Sequence, residues 1–151
     1  MSITLNSYIS FDGDAADALT FYQTVFGGEV TMDTFGDFQS KNPNSGMPPV
    51  AEDERGRIMH GVLNGANGIV FMAADTTSAL GTITQGDNIS LTLNGDDHEL
   101  LKGYWNKLSE GGNIVMPLAQ SPWGDLFGLL KDKFGIDWMI NITSNDQAKN
   151  E

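Results

Sequence analysis

Residues 14–28, DAADALTFYQTVFGG, decide the fold. Apolar residues recur at helical spacing from Ala18 to Phe26, so the stretch predicts an amphipathic helix over Ala15–Phe26. Asp14 is a favourable N-cap, and Gly27-Gly28 is a typical helix end. The residues before and after this helix, Thr4–Phe11 and Glu29–Phe35, are typical of strands.

The same pattern occurs a second time further along the chain. The matched landmarks are Ser7 with Ser90, Asp14 with Asp97, Phe21-Tyr22 with Tyr104-Trp105, and Gly27-Gly28 with Gly111-Gly112. The offset is 83 positions for the first three pairs and 84 for the glycines. Further on, Gly68–Met72 matches Gly135–Met139 at an offset of 67, which places the extra residues of the first half in Gly36–Arg57. The chain is therefore predicted to contain two copies of one unit.

The remaining elements complete a β-α-β-β-β order in each half. Further strands are predicted at Ile58–Leu63, Ile69–Ala73, Asn88–Leu93, Asn113–Met116, Leu126–Lys131 and Trp138–Ile142. The fold class is α+β: two β-α-β-β-β modules form a cupped eight-stranded mixed sheet with the helices outside. We expect a single domain with module one at 1–75, a linker at 76–86, module two at 87–143 and a polar tail at 144–151. The long segment Gly36–Arg57 is either a lid or an exposed connection.

The charge and the cysteine content of the chain exclude several kinds of partner and of site. Acidic residues outnumber basic ones 20 to 8, for a formal net charge of −12, so nucleic acid and membrane surfaces are excluded as expected partners. The chain has no cysteine, which excludes disulfides, thiolate catalysis and Cys-ligated zinc. Residues 1–11 carry no basic residue and do not resemble a signal peptide, so we expect a cytoplasmic protein.

Two modules that pack together are expected to leave a concave cup between them. A cup lined from both halves is a natural site for a small molecule. The alternative is that side chains fill it.

Several motifs resemble the vicinal-oxygen-chelate superfamily, which includes glyoxalase I, bleomycin-resistance proteins and extradiol dioxygenases. They are similar in particular to its PhnB-like branch. The motifs are Phe21-Tyr22-x-x-Val25-Phe26-Gly27-Gly28-Glu29, Ile58-Met59-His60, Met72-Ala73-Ala74-Asp75, Trp123-Gly124-x-x-Phe127-Gly128, Asp132-x-Phe134-Gly135 and Trp138-Met139-Ile140-Asn141. The resemblance covers nearly the whole chain and implies the paired-module fold and a homodimer.

The resemblance also implies where a metal would be held. Metal-using members place His or Gln on the first strand of each half and Glu on the last. Spacing from the cap Asp and the hairpin Gly puts Ser7, Met72, Ser90 and Met139 at these positions. Hydroxyls and thioethers are poor ligands for divalent Zn, Ni, Mn or Fe. We therefore expect no divalent metal at the usual site and no cofactor, and we expect these four residues to line the ligand pocket.

Two further side chains are candidates for the site. His60 is either a base or hydrogen-bonding group facing the cup, or a structural histidine bonded to a backbone carbonyl. Trp123 either stacks against a ligand or anchors a core or dimer contact. His98 follows a helix cap and is expected to be solvated.

Three functions remain open from sequence. The first is a binding protein that holds a small organic ligand in the cup without the usual metal. The alternative is an enzyme, a lyase, isomerase or dioxygenase-like protein, that uses His60 as a base or a non-standard metal site. A purely structural or regulatory dimer is the third.

Overall fold

The computed structural model describes residues 1–144, in which the eight strands and the two predicted helices follow the predicted order and a third α-helix is added. The first unit contains β1 (Ser7–Phe11), α1 (Ala15–Phe26), β2 (Glu29–Thr34), α2 (Phe35–Lys41), β3 (Ile58–Asn64) and β4 (Val70–Asp75). The second contains β5 (Ser90–Gly95), α3 (His98–Ser109), β6 (Asn113–Gln120), β7 (Leu126–Lys131) and β8 (Asp137–Ile142). The two units divide between Gln85 and Gly86. No helix within these 144 residues is long and apolar enough to cross a membrane.

Each unit builds one four-stranded mixed sheet with the same topology. The order is β1-β4-β3-β2 in the first sheet and β5-β8-β7-β6 in the second. In both, the first strand pairs parallel with the last, and the other pairs are antiparallel. The predicted α+β class and the two β-α-β-β-β modules are confirmed. Hydrogen bonding groups the eight strands as two sheets of four.

In the first unit, α1 covers one face of the sheet. Phe71 lies on that face, with its ring centroid 4.3 Å from that of Tyr22. Leu63 and Ala73 are fully buried beside it. Gly61 permits the close approach of the helix, because a Cβ atom there would collide with Cδ1 of Leu19. The amphipathic pattern that predicted α1 thus also supplies half of this core.

In the second unit, α3 covers the sheet in the same way. Its buried residues are Leu101, Tyr104, Trp105 and Leu108. Gly128 is the counterpart of Gly61, since a Cβ there would lie 2.7 Å from Cη2 of Trp105. On β8, Trp138 and Ile140 are buried. Both sheets therefore use a glycine on the third strand to admit a bulky helix side chain.

The segment 36–57, predicted to be either a lid or an exposed connection, contains regular structure. It contains most of α2, capped by Thr34, whose hydroxyl accepts a hydrogen bond from the Asp37 N–H at 3.1 Å. Its two ends are joined, because the Phe35 N–H donates to the Arg57 carbonyl at 3.0 Å. Phe35 is buried and anchors the helix. A helix of seven residues is too short to show a hydrophobic period.

The side chain that caps helix α1 is one that sequence spacing did not indicate. Asp14 stands at the N-cap position, as predicted, but its own side chain makes no capping hydrogen bond. Instead Oδ1 of Asp75, at the end of β4, accepts from the Ala15 N–H at 3.0 Å. Asp97 caps α3 as predicted, accepting from the Leu100 N–H at 3.1 Å. The predicted polar tail begins at Ser144, and its residues 145–151 lie outside the described part of the chain.

Candidate functional site

The face of the first sheet opposite α1, which we call the open face, carries the best candidate site. Strand register places Tyr8, Met72 and Val62 side by side across β1, β4 and β3. Successive residues of a strand point to opposite faces, so these three lie on the face away from Phe71. Tyr8 is 52 % exposed, whereas Met72 and Val62 are half-buried. The row therefore offers an accessible aromatic ring beside two apolar side chains.

Ser7 does not lie on this face beside Met72, although spacing predicted that the two would line one pocket. Its register partner on β4 is Phe71, and the partner of Met72 is Tyr8. Because paired residues share a face, Ser7 points toward α1. Tyr8 is the residue of β1 that stands beside Met72.

His60 joins the row through Tyr8. It precedes the helix-facing Gly61 on β3 and so lies on the open face. The Tyr8 hydroxyl lies 3.3 Å from Nδ1 of His60, and the two rings stack with centroids 5.7 Å apart and planes 27° apart. The partner of His60 is thus a tyrosine hydroxyl rather than the backbone carbonyl considered above. The exposed Asp33 on β2 is its cross-strand neighbour.

The second sheet has a different set of residues on the face opposite α3. Met139 is paired with Thr92, and Ser90 is paired with Asp137, two residues before Met139. Ser90 and Met139 therefore share a face, as predicted. Trp138 and Met139 are successive residues of β8 and point to opposite faces, and Trp138 is buried whereas Met139 is half-buried.

Trp123 lies in the turn before β7 and is 54 % exposed. Its ring meets that of Phe127 edge to face, with centroids 5.6 Å apart. It is therefore not a core residue of its unit. Its predicted use as a ligand wall is not tested by this geometry.

The one-residue error in matching Ser7 of β1 to Ser90 of β5 has a local cause. Phe11 at the end of β1 is equivalent to Gly95 at the end of β5. The Phe11 carbonyl accepts a hydrogen bond from the Thr76 N–H, just after β4, and the Gly95 carbonyl accepts one from the Thr143 N–H, just after β8, both at 2.7 Å. The strands are thus offset by 84 positions, as the glycines are. Residues 12–14 connect strand to helix in the first unit, and only 96–97 do so in the second. Counting back from the cap residues therefore shifted β1 by one.

A polar cluster outside this face uses the two arginines. Nη1 of Arg57 donates hydrogen bonds to Oδ1 of Asp12 at 2.7 Å and to the Thr76 carbonyl at 2.8 Å. The hydrogen bond to Asp12 raises the pKa of Arg57. Arg55 donates to the Gly36 carbonyl and to the Ser40 hydroxyl.

Glu54, the last residue of the acidic run Glu52-Asp53-Glu54, pairs with Arg57. Its Oε2 lies 3.8 Å from Nε of Arg57. It also accepts hydrogen bonds from the hydroxyl and the N–H of Ser78. The Ser78 hydroxyl is the main cause that lowers the pKa of Glu54. This carboxylate therefore ties the segment before β3 to the segment after β4.

His98 is not simply solvated, as expected from its place after a cap. It is half-buried, and its Nε2 lies 3.0 Å from the Thr143 carbonyl. It therefore links the start of α3 to the end of β8. This leaves His60 as the histidine on the open face of the first sheet.

The two-unit fold agrees with the protein family that the sequence matches. The model of the Glyoxalase/Bleomycin resistance protein/Dioxygenase superfamily matches residues 4–140. The chain belongs to this superfamily.

Several similar proteins cover almost the whole chain. Protein YjdN of Escherichia coli strain K12 is 28 % identical over 154 residues, covering 96 % of this chain and 99 % of that protein. The crystal structure of protein PA1353 from Pseudomonas aeruginosa is 30 % identical, with a TM-score of 0.77 and coverage of 93 % and 98 %. A Bacillus cereus PhnB protein, described as a putative 3-demethylubiquinone-9 3-methyltransferase, is 24 % identical, with a TM-score of 0.69 and coverage of 93 % and 100 %. The PhnB-like resemblance extends to structure.

The metal that some superfamily members use does not fit the donors found here. The paired residues are Tyr8 with Met72 in one sheet and Thr92 with Met139 in the other. Phenol, hydroxyl and thioether groups do not form the imidazole and carboxylate set that Zn²⁺, Ni²⁺, Mn²⁺ or Fe²⁺ requires. Within residues 1–144, no three His, Asp or Glu side chains are grouped so that they could hold a metal ion.

Proposed function

We propose that this superfamily member binds a small planar organic ligand on the open face of its first sheet, without a divalent metal there. The observation that carries the proposal is the exposed ring of Tyr8, flanked by Met72 and hydrogen-bonded to His60. An aromatic ring next to a thioether favours a flat ligand by stacking and soft dispersion contact. A single imidazole supplies the polar contact that orients it.

The charge of this face favours a neutral ligand. None of the residues in β1, β2, β3 and β4 is Lys or Arg. Asp33 and Glu29 lie on the exposed edge strand β2. An anionic ligand would be repelled there, and the formal net charge of −12 adds to that repulsion.

A matched pair of lysine variants tests where the ligand binds. Met72 and Met139 occupy equivalent positions beside β1 and β5. We expect Met72→Lys to weaken the binding of naphthalene derivatives, measured by calorimetry, about tenfold or more, because a charge would have to be desolvated under the ligand. Met139→Lys is the control and should keep the affinity. The reverse result would assign the ligand to the second sheet, and loss in both would extend the site to both sheets.

A separate experiment tests whether ligand binding needs a divalent metal. Protein purified without chelator should contain less than about 0.1 equivalent of divalent metal per chain by elemental analysis, since functional sites retain their metal. Chelator should leave ligand affinity unchanged. One equivalent of bound metal, together with loss of binding after chelation, would contradict this part of the proposal.

The proposed assembly is a homodimer, as the family resemblance implies. Its support in the described structure is the edge strand β6, where Ile114, Val115 and Met116 are consecutive and exposed. Exposed apolar edge strands are normally covered or paired. Sedimentation should show a dimer, and Val115→Lys should shift it toward monomer. A monomeric wild-type chain at micromolar concentration would refute the dimer.

A further inference from the structure

We infer that Tyr8 holds His60 in the tautomer that donates from Nε2, and that the ligand of this face is a neutral aromatic carbonyl compound. This inference rests on the proposed ligand site. It deepens that proposal by naming the polar group that the ligand must carry. Tyr8 acts in it as a positioning residue, and His60 makes the contact.

The direction of the Tyr8–His60 hydrogen bond decides the chemistry. A phenol O–H is a stronger donor than a neutral imidazole N–H, and an imidazole nitrogen is a stronger acceptor than a phenol oxygen. The hydroxyl of Tyr8 therefore donates to Nδ1 across the observed 3.3 Å. When Nδ1 accepts, the ring hydrogen is on Nε2, because a neutral imidazole has one donor and one acceptor nitrogen.

A ligand that meets Nε2–H must supply an acceptor. In this tautomer neither nitrogen of His60 is a free base, so the pair binds an acceptor oxygen rather than removing a proton. If His60 gains a proton, Nε2 still carries a hydrogen and remains a donor. The geometry therefore favours a binding role for His60 over the base considered in the enzyme alternative.

The surrounding charges select the kind of acceptor. A carboxylate or phenolate would approach the carboxylate of Asp33, the cross-strand neighbour of His60, on strands that carry no Lys or Arg. A ketone or aldehyde oxygen accepts the same hydrogen bond without that repulsion. The exposed ring of Tyr8 beside Met72 requires the rest of the ligand to be flat and apolar.

The second sheet lacks this pair, which limits the site to one per chain. The residue paired with Met139 is Thr92, where the first sheet has Tyr8. The residue before Gly128 is Phe127, where the first sheet has His60 before Gly61. This comparison also supplies a variant suited to the fold, because phenylalanine already occupies the position equivalent to His60.

The tautomer can be measured without any ligand. The chain has two histidines, so the side-chain ¹⁵N resonances of His60 can be assigned with a His98→Gln variant. At about pH 8.5, above the usual range of histidine titration, the wild type should show the Nε2–H tautomer of His60. Tyr8→Phe should give a mixture of tautomers. A Nδ1–H tautomer in the wild type, or no change in Tyr8→Phe, would overturn the positioning role.

The ligand class is tested with three naphthalenes that carry an acetyl, an ethyl or a carboxylate group at the same ring position. Wild-type protein should bind the acetyl compound about threefold to tenfold more tightly than the ethyl compound, as expected for one hydrogen bond, and the carboxylate most weakly. His60→Phe should remove the preference for acetyl over ethyl. Tyr8→Phe should reduce it, because Nδ1 of His60 loses the hydroxyl that fixes the tautomer while the aromatic ring is retained.

Failure of this inference is distinct from failure of the proposed function. If the acetyl and ethyl compounds bind equally well, or His60→Phe keeps the preference, the ligand class is wrong although the open face still binds planar molecules. If the carboxylate binds most tightly, the charge argument is wrong. If none of the three binds the wild type, both proposals fall.

Discussion

The carboxylate of Asp75 accepts a hydrogen bond from the Ile58 N–H through Oδ2 at 2.9 Å. Its other oxygen, Oδ1, accepts from the N–H groups of Gly13 and Ala15 at 3.0 Å each. One side chain, 4 % exposed, thus joins the end of β4 to the start of β3 and to the start of α1. The site on the open face depends on this joint, because it holds the strands that carry Tyr8, His60 and Met72.

Replacing Asp75 should destabilise the first unit markedly. Asp75→Ala leaves three backbone N–H groups without their acceptor, so we expect a loss of about 2–4 kcal/mol in the free energy of unfolding. Chemical denaturation measures it. Asp17→Ala, an exposed first-turn position of α1, is the control and should change stability by less than about 1 kcal/mol. Similar values for the two variants would show that the three hydrogen bonds contribute little.

Two tryptophans give a matched test of the second unit. The indole N–H of the buried Trp138 donates to Oδ2 of Asp132 at 2.9 Å, whereas Trp123 is mostly exposed. Trp138→Phe should lower the free energy of unfolding by about 2–3 kcal/mol, because it removes packed volume and a buried hydrogen bond. Trp123→Phe should lower it by less than about 1 kcal/mol. An equal effect would mean that Trp123 is packed more tightly in solution than its exposure indicates.

Glycines on the third strands should resist substitution to different degrees. At Gly128 the added Cβ would meet the rigid ring of Trp105 and lie 3.0 Å from Cα of Leu118. At Gly61 it would meet the movable end of Leu19. We therefore expect Gly128→Ala to cost about 2–3 kcal/mol and Gly61→Ala about 1–2 kcal/mol, measured by thermal unfolding.

The control for these glycine variants is Gly103 in α3, where an added Cβ meets nothing within 4 Å. Gly103→Ala should raise stability by about 0.5–1 kcal/mol, since alanine favours the helix. A loss at Gly103 as large as that at Gly128 would show that steric contact with Trp105 is not the cause.

Acid should remove the contribution of Glu54. Its pKa is lowered from the ordinary 4.5, chiefly by the Ser78 hydroxyl and then by the Ser78 N–H. A carboxyl whose folded-state pKa is lowered stabilises the fold above its unfolded pKa, and the effect disappears as pH falls through the folded value. Glu54→Gln should therefore be less stable than wild type at neutral pH, with the difference shrinking below about pH 4 in denaturation curves.

Ser78→Ala is the matched variant for this pH dependence. It removes the largest cause of the lowered pKa, so most of the pH-dependent difference between wild type and Glu54→Gln should be absent in its background. A difference that persists unchanged in acid would show that the charge of Glu54 is not what stabilises the contact.

Much of the fold could be predicted because it rests on local patterns. The helix α1 was predicted with the bounds that the structure shows, since its apolar spacing and its glycine end both belong to the helix itself. The opposite orientations of Phe71 and Met72 are a local feature too, because successive residues of any strand point to opposite faces. The short helix α2 was missed, because seven residues show no period and Phe35 is held by packing.

The candidate site was predicted less completely. Met72 and His60 were identified from the motifs, and both lie on the open face. Tyr8 was passed over for Ser7, because the length of the strand-to-helix connection differs by one residue between the units. The offset of 84 between the two glycine pairs could not have corrected it, because that difference arises after the helix and not between β1 and the helix.

The sequence by itself determined the two β-α-β-β-β units, their helices and the alternation of their strands, because each depends on residues close together in the chain. Only the tertiary structure decided which residues share a face across neighbouring strands. A shift of one residue in register moves every side chain of a strand to the other face, and register is set by contacts between strands far apart in sequence. For this reason the pairing of Tyr8 with Met72, and the hydrogen bond between Tyr8 and His60, depend on how β1, β4 and β3 are arranged in the sheet.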